Sequence, residues 1–212
     1  MKDATEIIVV MDKSGSMNTR SADAIGGFNT LLAEQQAEPG EACLTLVLFD
    51  TTYTFAVPLG TPLKDVKPLT EKTYRPGGNT ALNDALARAI TETGKRLNDM
   101  DEADRPDKVI CVVITDGQEN SSQEHTTAQI REMVTHQEEK YDWAFMYLGT
   151  GVDAFAEAGA MGIKPAMTAD FGGDSVGTRS AYVGTSVGVS GYRSGGKSGL
   201  DKSDWKKDIK KN

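Results

Sequence analysis

Several features that often direct a functional assignment are scarce in this 212-residue sequence, which has two cysteines, two histidines and only 7% aromatic residues. Cys43 and Cys111 are too few for a disulfide framework, and both lie in apolar segments, which favours buried free thiols. The apolar run at residues 7–11 is too short for the core of a signal peptide, and no run approaches the ~18 apolar residues of a membrane span. We therefore expect a cytoplasmic protein that does not enter a membrane.

Positively charged residues are also scarce. The sequence has 23 Lys and Arg residues against 31 Asp and Glu residues, and its formal net charge is −8. Such a balance argues against a general nucleic-acid binder, which needs a basic face to neutralise phosphates. The basic residues gather near the C-terminus, where seven basic and three acidic residues follow Gly191. This tail, residues 191–212, is rich in Gly, Ser, Lys and Asp, and we expect it to be flexible.

Hydrophobic periodicity predicts alternating strands and helices in residues 1–190. The predicted strands are 5–11, 43–49, 52–57, 108–115, 142–148 and 165–168. The predicted helices are 19–37, 80–97, 126–138, 152–160 and 174–190, with one helical turn near 63–66. Alternation of this kind predicts an α/β, doubly wound (Rossmann-like) sheet of about six strands with helices on both faces. The link between the second and third strands is too short for a parallel crossover, so one edge strand should be antiparallel.

Oxygen-bearing side chains follow two of the predicted strands. Asp12, Ser14 and Ser16 form the pattern Asp-x-Ser-x-Ser after the first strand, and Asp116 follows the fourth. If the strand order is 3-2-1-4-5-6, these two strands flank the point where the order reverses, which places the two carboxylates side by side. Thr80, after Gly77-Gly78-Asn79, offers a third hydroxyl. Two carboxylates and three hydroxyls suit a hard divalent cation, and at most five protein ligands would leave a position for an outside oxygen.

The five residues together resemble the metal-ion-dependent adhesion site of von Willebrand factor type A domains, and the resemblance covers roughly residues 5–190. It implies that the Ser and Thr residues bind the metal directly, that the Asp residues often act through water, and that an acidic residue of a partner protein completes the coordination. The cation would be Mg²⁺, with Mn²⁺ or Ca²⁺ as alternatives. A chain of this kind is similar to the stand-alone intracellular members of bacteria and their phages. The resemblance implies a protein-binding module and not an enzyme.

Each residue also has an ordinary structural explanation. Asp-x-Ser-x-Ser and Asp116-Gly117 are typical of turns, and Asn79 or Thr80 would serve as a helix N-cap. A Mg²⁺-dependent hydrolase would place its site at the same edge, but no histidine or lysine is positioned as a base. A structural subunit, in which the metal only ties loops together, is a third alternative.

Two further matches lack the context that their chemistry requires. Residues 191–198 fit the phosphate-loop pattern G-x-x-x-x-G-K-S, but only 14 residues follow Ser198, so no nucleotide is expected. Residues 184–188 fit the nucleophile-elbow pattern, but both histidines, His125 and His136, precede it. We expect these histidines to lie on a solvated helix face.

Overall fold

The computed structural model describes residues 4–151 and 153–211. Six strands form one sheet in the order β3-β2-β1-β4-β5-β6. They are β1 (Thr5–Asp12), β2 (Ala42–Phe49), β3 (Tyr53–Pro62), β4 (Lys108–Ile114), β5 (Ala144–Thr150) and β6 (Thr168–Phe171). All neighbouring strands are parallel except β2 and β3, which form an antiparallel pair. The predicted sheet order and its antiparallel edge strand are confirmed.

In the described part of the chain, five α-helices cover the two faces of this sheet. They are α1 (Ser21–Ala37), α2 (Leu82–Asp99), α3 (Thr127–Tyr141), α4 (Ala154–Ala160) and α5 (Ser175–Lys202). β1 is buried along its whole length because its alternate residues serve two cores. Ile7 and Val9 pack with residues of α1 and α5, while Ile8 and Val10 pack with residues of α2, α3 and α4. A strand buried on both faces explains the continuous apolar run in the sequence.

Several element boundaries differ from the predicted ones. A 3₁₀ helix, Gly15–Arg20, precedes α1, and another, Pro165–Met167, occupies most of the segment predicted as the last strand. α2 begins at Leu82 without a side-chain cap, so neither Asn79 nor Thr80 is its N-cap. Residue 152, the predicted first residue of α4, lies outside the described residues. Among those residues no helix combines the length and the apolar character needed to cross a membrane.

The C-terminal segment differs most from its prediction. The predicted helix at 174–190 is present, but α5 continues to Lys202, with a kink at Gly195 and Gly196. Beyond it, Trp205 and Ile209 are buried together with Leu200 of α5. The expectation of a flexible tail from residue 191 is therefore wrong. A few well-spaced apolar side chains anchor this segment although its average composition is polar.

Glycine explains how this segment fits against α5. A Cβ atom added at Gly184 would lie 2.7 Å from Ile209 Cδ1 and from the Trp205 carbonyl oxygen. The segment after α5 therefore packs directly on the helix backbone. The Lys210 carbonyl then accepts a hydrogen bond from the Gly172 amide at 2.7 Å, which ties the chain end to the residue after β6.

The remaining sequence matches lie in ordinary structure. Residues 184–198, which carry both the elbow pattern and the phosphate-loop pattern, lie within α5 and not between a strand and a helix. His125 lies before α3 and His136 within it, so the two histidines do not share a helix face. Cys43 and Cys111 are free, as expected.

Candidate metal centre

The sheet order brings the two predicted carboxylates to the same edge. β1 and β4 are parallel neighbours, and Met11 pairs with Ile114 at the end of their register. Asp12 and Asp116 follow these positions at the carboxyl ends of the two strands. This is the point where the strand order reverses, and open α/β sheets bind ligands there.

The first loop holds its oxygens in a tight turn. The Asp12 carboxylate accepts a hydrogen bond from the Ser14 amide at 2.6 Å, and the Ser14 and Ser16 hydroxyls lie 3.0 Å apart. Asp12 and Ser14 are buried, whereas Ser16 is exposed. The turn therefore presents a row of oxygens that begins in the interior and ends at the surface.

The second loop carries Thr80 and is pinned to the first by backbone hydrogen bonds. The Gly15 amide donates to the Gly78 carbonyl at 3.0 Å, and the Gly77 amide donates to the Lys13 carbonyl at 2.8 Å. A Cβ at Gly15 would lie 3.2 Å from the Gly78 oxygen, so the approach of the two backbones is close. These contacts fix where residue 80 stands relative to Ser14.

Thr80 is buried, and its hydroxyl lies near Gly117 on the same side as an Asp12 carboxylate oxygen. The residue is 3% exposed, and its amide donates to Asn120 Oδ1 at 2.9 Å. A Cβ built on Gly117 would lie 3.1 Å from Thr80 Oγ1 and 3.9 Å from Asp12 Oδ2. The two oxygens therefore border the same small space beside Gly117. Since Thr80 caps no helix, the ordinary explanation of this residue does not hold.

The third loop contributes Asp116, whose side chain is fully buried. One carboxylate oxygen accepts from the Ser16 hydroxyl at 2.6 Å, and the other accepts from Arg20 Nη1 at 2.6 Å. The Asp116 carbonyl accepts from Thr150 Oγ1 at 3.0 Å. Asp116 thus connects directly to the first loop, and it is more than a turn residue.

Burial and hydrogen bonding act in opposite directions on Asp12. Burial is the largest influence and raises the pKa of this carboxyl, because the charged form loses hydration. Hydrogen bonds from the Thr115 hydroxyl, at 2.6 Å, and from Ser14 lower the pKa in part. The nearby Asp116 charge raises it further. A cation beside Asp12 would stabilise the ionised form of its carboxyl.

The donor set fits a hard divalent cation. Two carboxylates and three hydroxyls from three loops supply oxygen only, which suits Mg²⁺, Mn²⁺ or Ca²⁺. Within the described residues no group of three or more His, Cys, Asp and Glu side chains could hold a metal ion. A cation at this edge would therefore depend on the Ser and Thr hydroxyls as much as on the carboxylates. Asp12, Ser14, Ser16, Thr80 and Asp116 are the residues that could hold it.

Three contributors were missed from the sequence. Thr115 and Tyr74 fix Asp12, the first through its carboxylate and the second by donating to its carbonyl at 2.6 Å. Arg20 pairs with Asp116. Thr115 stands next to Asp116 and could have been included as a neighbour, but no pattern in the sequence marks Tyr74 or Arg20.

A network of acidic side chains shapes the loop after Asp116. Glu119 accepts from the Asn83 amide at 2.7 Å and from the Ser122 amide at 2.8 Å. Asp84 accepts from the amide of His125 at 2.8 Å and from the two amides before it. These bonds attach the loop to the first turn of α2, and the bond to Glu119 also satisfies the free amide of Asn83.

Solved structures of known proteins share this fold at low sequence identity. The chain is similar to proximal thread matrix protein 1 from the mussel byssus, with TM-score 0.61 and 14% identity over 84% of this chain and 46% of that one. It is also similar to a von Willebrand factor type A protein from Catenulispora acidiphila, with TM-score 0.58 and 15% identity over 88% of this chain and 43% of that one. The chain thus spans less than half the length of either protein.

A third structure, the manganese-loaded TRAP protein of Plasmodium vivax, matches with TM-score 0.56 and 18% identity over 79% of this chain and 68% of that one. At these identities the structures establish the fold alone. A comparison with curated protein sequences gives no match. The family model of the von Willebrand factor type A domain, however, matches residues 6–168, which is most of the chain. The chain therefore belongs to the von Willebrand factor type A domain family.

Proposed function

We propose that this protein is a metal-dependent protein-binding module. A divalent cation would be held by Asp12, Ser14, Ser16, Thr80 and Asp116, and an acidic residue of a partner protein would complete its coordination. The observation that carries this proposal is the convergence of carboxylate and hydroxyl oxygens from three loops at one edge of the sheet. Because Ser16 is exposed, that group of oxygens has a side open to a partner.

We propose Mg²⁺ as the physiological cation, with Mn²⁺ or Ca²⁺ as alternatives. When bound, the cation supplies a centre of positive charge that accepts a carboxylate oxygen as a ligand. Among similar structures, the Plasmodium vivax protein is described as manganese-loaded, and one form of the mussel protein as having a zinc-occupied MIDAS motif. Both examples support the binding of a divalent ion by a protein of this fold, and the mussel protein supports the adhesion-site motif as its place.

Binding is favoured over a purely structural role for the metal. The first and second loops are already joined by the Gly15–Gly78 and Gly77–Lys13 hydrogen bonds, and Asp116 is joined to the first loop by Ser16 and Arg20. Protein contacts alone therefore hold the loops together. A cation is not needed for that purpose.

We also propose that the protein is not an enzyme. Its two histidines have other surroundings than the five candidate ligand residues: His125 Nδ1 faces Asp84 at 3.5 Å, and His136 lines a cavity between α2 and α3. Free thiols at Cys43 and Cys111 support a reducing, cytoplasmic location. The bacterial or phage setting expected from the resemblance stays a prediction.

The proposal is tested with the protein as bait in Mg²⁺ and in EDTA. Thr80→Val removes one hydroxyl with little change of volume, and Thr30→Val makes the same change on the exposed face of α1 as a matched control. We expect partner proteins to be retained by the wild type and Thr30→Val in Mg²⁺ only, and to be lost with Thr80→Val. Exchange of the partner's contacting Asp or Glu for the amide should then abolish retention.

Retention of the same partners in EDTA, or equally by Thr80→Val, would contradict a metal-dependent module. Titration of the wild type with Mn²⁺ provides a direct check, since the cation should bind without any partner. An absence of Mn²⁺ binding would refute the site assignment itself.

A further inference from the structure

Arg20 stands beside the candidate metal centre without belonging to the motif that marks it. Its Nη1 atom donates to Asp116 Oδ2 at 2.6 Å, while Ser16 donates to the other oxygen of the same carboxylate. The Arg20 side chain is 20% exposed, so the guanidinium lies at the border between the buried carboxylate and solvent. Both the hydrogen bond and the ion pair of Arg20 with Asp116 are made by Nη1.

The position of Arg20 is fixed by the turn that carries the serines. The 3₁₀ helix Gly15–Arg20 runs from the first loop into α1, and it is anchored by the buried Met17. The Asn18 side chain donates to the Gly15 carbonyl at 2.9 Å and stabilises the start of this helix. Arg20 is therefore held in register with Ser14 and Ser16 and is not a freely moving surface residue.

This arginine changes the charge of the centre. Asp12 and Asp116 carry two negative charges when ionised, and Arg20 reduces the sum to one. A divalent cation then gives the group a net charge of plus one, where the five motif residues alone would give zero. Binding of the cation thus reverses the sign of the centre, and only the positive form attracts an anionic ligand.

We propose that Arg20 is the residue that makes this centre selective for a carboxylate ligand. Its guanidinium keeps one N–H on Asp116 and offers its remaining donors to a carboxylate oxygen next to the cation. Arginine suits this role because its planar fork matches a carboxylate and always stays charged. The inference rests on the proposed function, since it assumes that a cation and a carboxylate meet at this site.

The two ligands should respond to Arg20 in opposite directions. The guanidinium repels the cation, so its removal should strengthen cation binding. It attracts a carboxylate, so its removal should weaken carboxylate binding. A residue that only supported the loop would weaken both, and a surface residue without a role would change neither.

The experiment uses Mn²⁺ as the cation and acetate as the carboxylate probe, with acetamide as its uncharged analogue. Free Mn²⁺ is measured by electron paramagnetic resonance, and entry of acetate is followed by the fall in water-proton relaxation enhancement as it replaces water on bound Mn²⁺. The variants are Arg20→Gln and Arg20→Lys. Arg179→Gln is the matched control, because Arg179 pairs with Asp23 at 3.3 Å and not with a residue of the candidate centre.

For Arg20→Gln we expect Mn²⁺ to bind about tenfold more tightly. The variant should require a several-fold higher acetate concentration than the wild type for the same fall in relaxation enhancement. Acetamide should change the relaxation enhancement of neither protein. Arg20→Lys keeps the charge, so its Mn²⁺ affinity should stay close to the wild-type value while its acetate response weakens. Arg179→Gln should match the wild type in both measurements.

Three results would overturn the inference. They are an unchanged acetate response in Arg20→Gln, weaker Mn²⁺ binding in Arg20→Gln, or equal changes in Arg179→Gln. If the wild type binds no Mn²⁺, the proposed function fails and this inference fails with it. If the wild type binds Mn²⁺ and Arg20→Gln behaves identically, only the role of Arg20 is refuted.

Discussion

Leu200 provides a sharp test of how the C-terminal segment contributes to stability. Its side chain is fully buried, and it belongs to the core on the α1 and α5 face of the sheet. A Cβ added at Gly188 would lie 3.2 Å from Leu200 Cδ1, so the leucine packs closely on the helix backbone. Leu200→Ala should therefore leave a cavity that neighbouring atoms do not fill easily.

The expected cost follows from similar substitutions in other cores. Replacement of a fully buried Leu by Ala lowers the free energy of unfolding by about 2–5 kcal/mol, and a value of about 3 kcal/mol is expected here. For a domain of this size that corresponds to a fall in melting temperature of about 6–12 °C. Truncation after Ser190 also removes Trp205, Ile209 and the Tyr192 hydroxyl, which donates to the Val109 carbonyl at 3.0 Å. The truncation should lower the free energy of unfolding by nearly the whole stability of a typical domain.

Urea unfolding followed by circular dichroism measures both effects. Lys207→Ala is the matched control, because Lys207 is exposed in the same segment and should change stability by less than about 0.5 kcal/mol. If Leu200→Ala and the truncated chain unfold at the same urea concentration as the full chain, residues 191–211 do not pack as described. The reasoning from burial would then be refuted.

Four further substitutions test the candidate metal centre and the residues that support it. Asp116→Ala should lower Mn²⁺ affinity by about 100-fold or more, because one carboxylate is lost and Arg20 keeps its charge. Ser16→Ala should cost less than about tenfold, since water can replace the hydroxyl; equal affinities in calorimetric titration would contradict this order. Gly117→Ala adds a Cβ 3.1 Å from Thr80 Oγ1, so it should weaken Mn²⁺ binding, and unaltered affinity would show that the space beside Gly117 is not used. Tyr74→Phe removes the 2.6 Å hydrogen bond to the Asp12 carbonyl and should lower the free energy of unfolding by about 1 kcal/mol, which an unshifted urea midpoint would exclude.

The parts of the fold that the sequence predicts are those governed by hydrophobic periodicity. β1 and β4 are continuous apolar runs because they are buried on both faces, and the short link between β2 and β3 allows only an antiparallel pair. Once the strand order is known, the reversal point between β1 and β4 follows. This is why the edge that carries Asp12 and Asp116 could be predicted without a structure.

The C-terminal segment could not be predicted in the same way. Gly184 and Gly188 weaken a helix when only its backbone is considered, and the residues after 190 are mostly polar. In the structure those glycines allow Ile209 and Leu200 to approach the helix closely. Local composition carries no information about such a long-range contact, so the average polarity of the segment was misleading.

The residues of the candidate centre differ in the same way, because only some of them belong to a pattern in the sequence. Asp12, Ser14 and Ser16 are close in sequence, and their spacing is visible as a pattern. The pairing of Arg20 with Asp116 joins residues 96 positions apart, and no sequence pattern around either residue predicts it. Tyr74 is similar, because it reaches Asp12 from the long connection between β3 and α2.

Two of the contacts that escaped prediction, those from Thr115 and Arg20, stabilise the charge of the buried carboxylates. Asp12 loses hydration on burial, and hydrogen bonds from Thr115 and Ser14 stabilise its charged form in part. Asp116 is fully buried as a side chain, and Arg20 and Ser16 each bond one of its oxygens. The protein therefore stabilises both carboxylates with its own groups, so a cation at this candidate centre would bind in competition with Arg20. We expect that competition to weaken cation binding and to leave a positive charge beside the cation, where the proposed carboxylate ligand of a partner would lie.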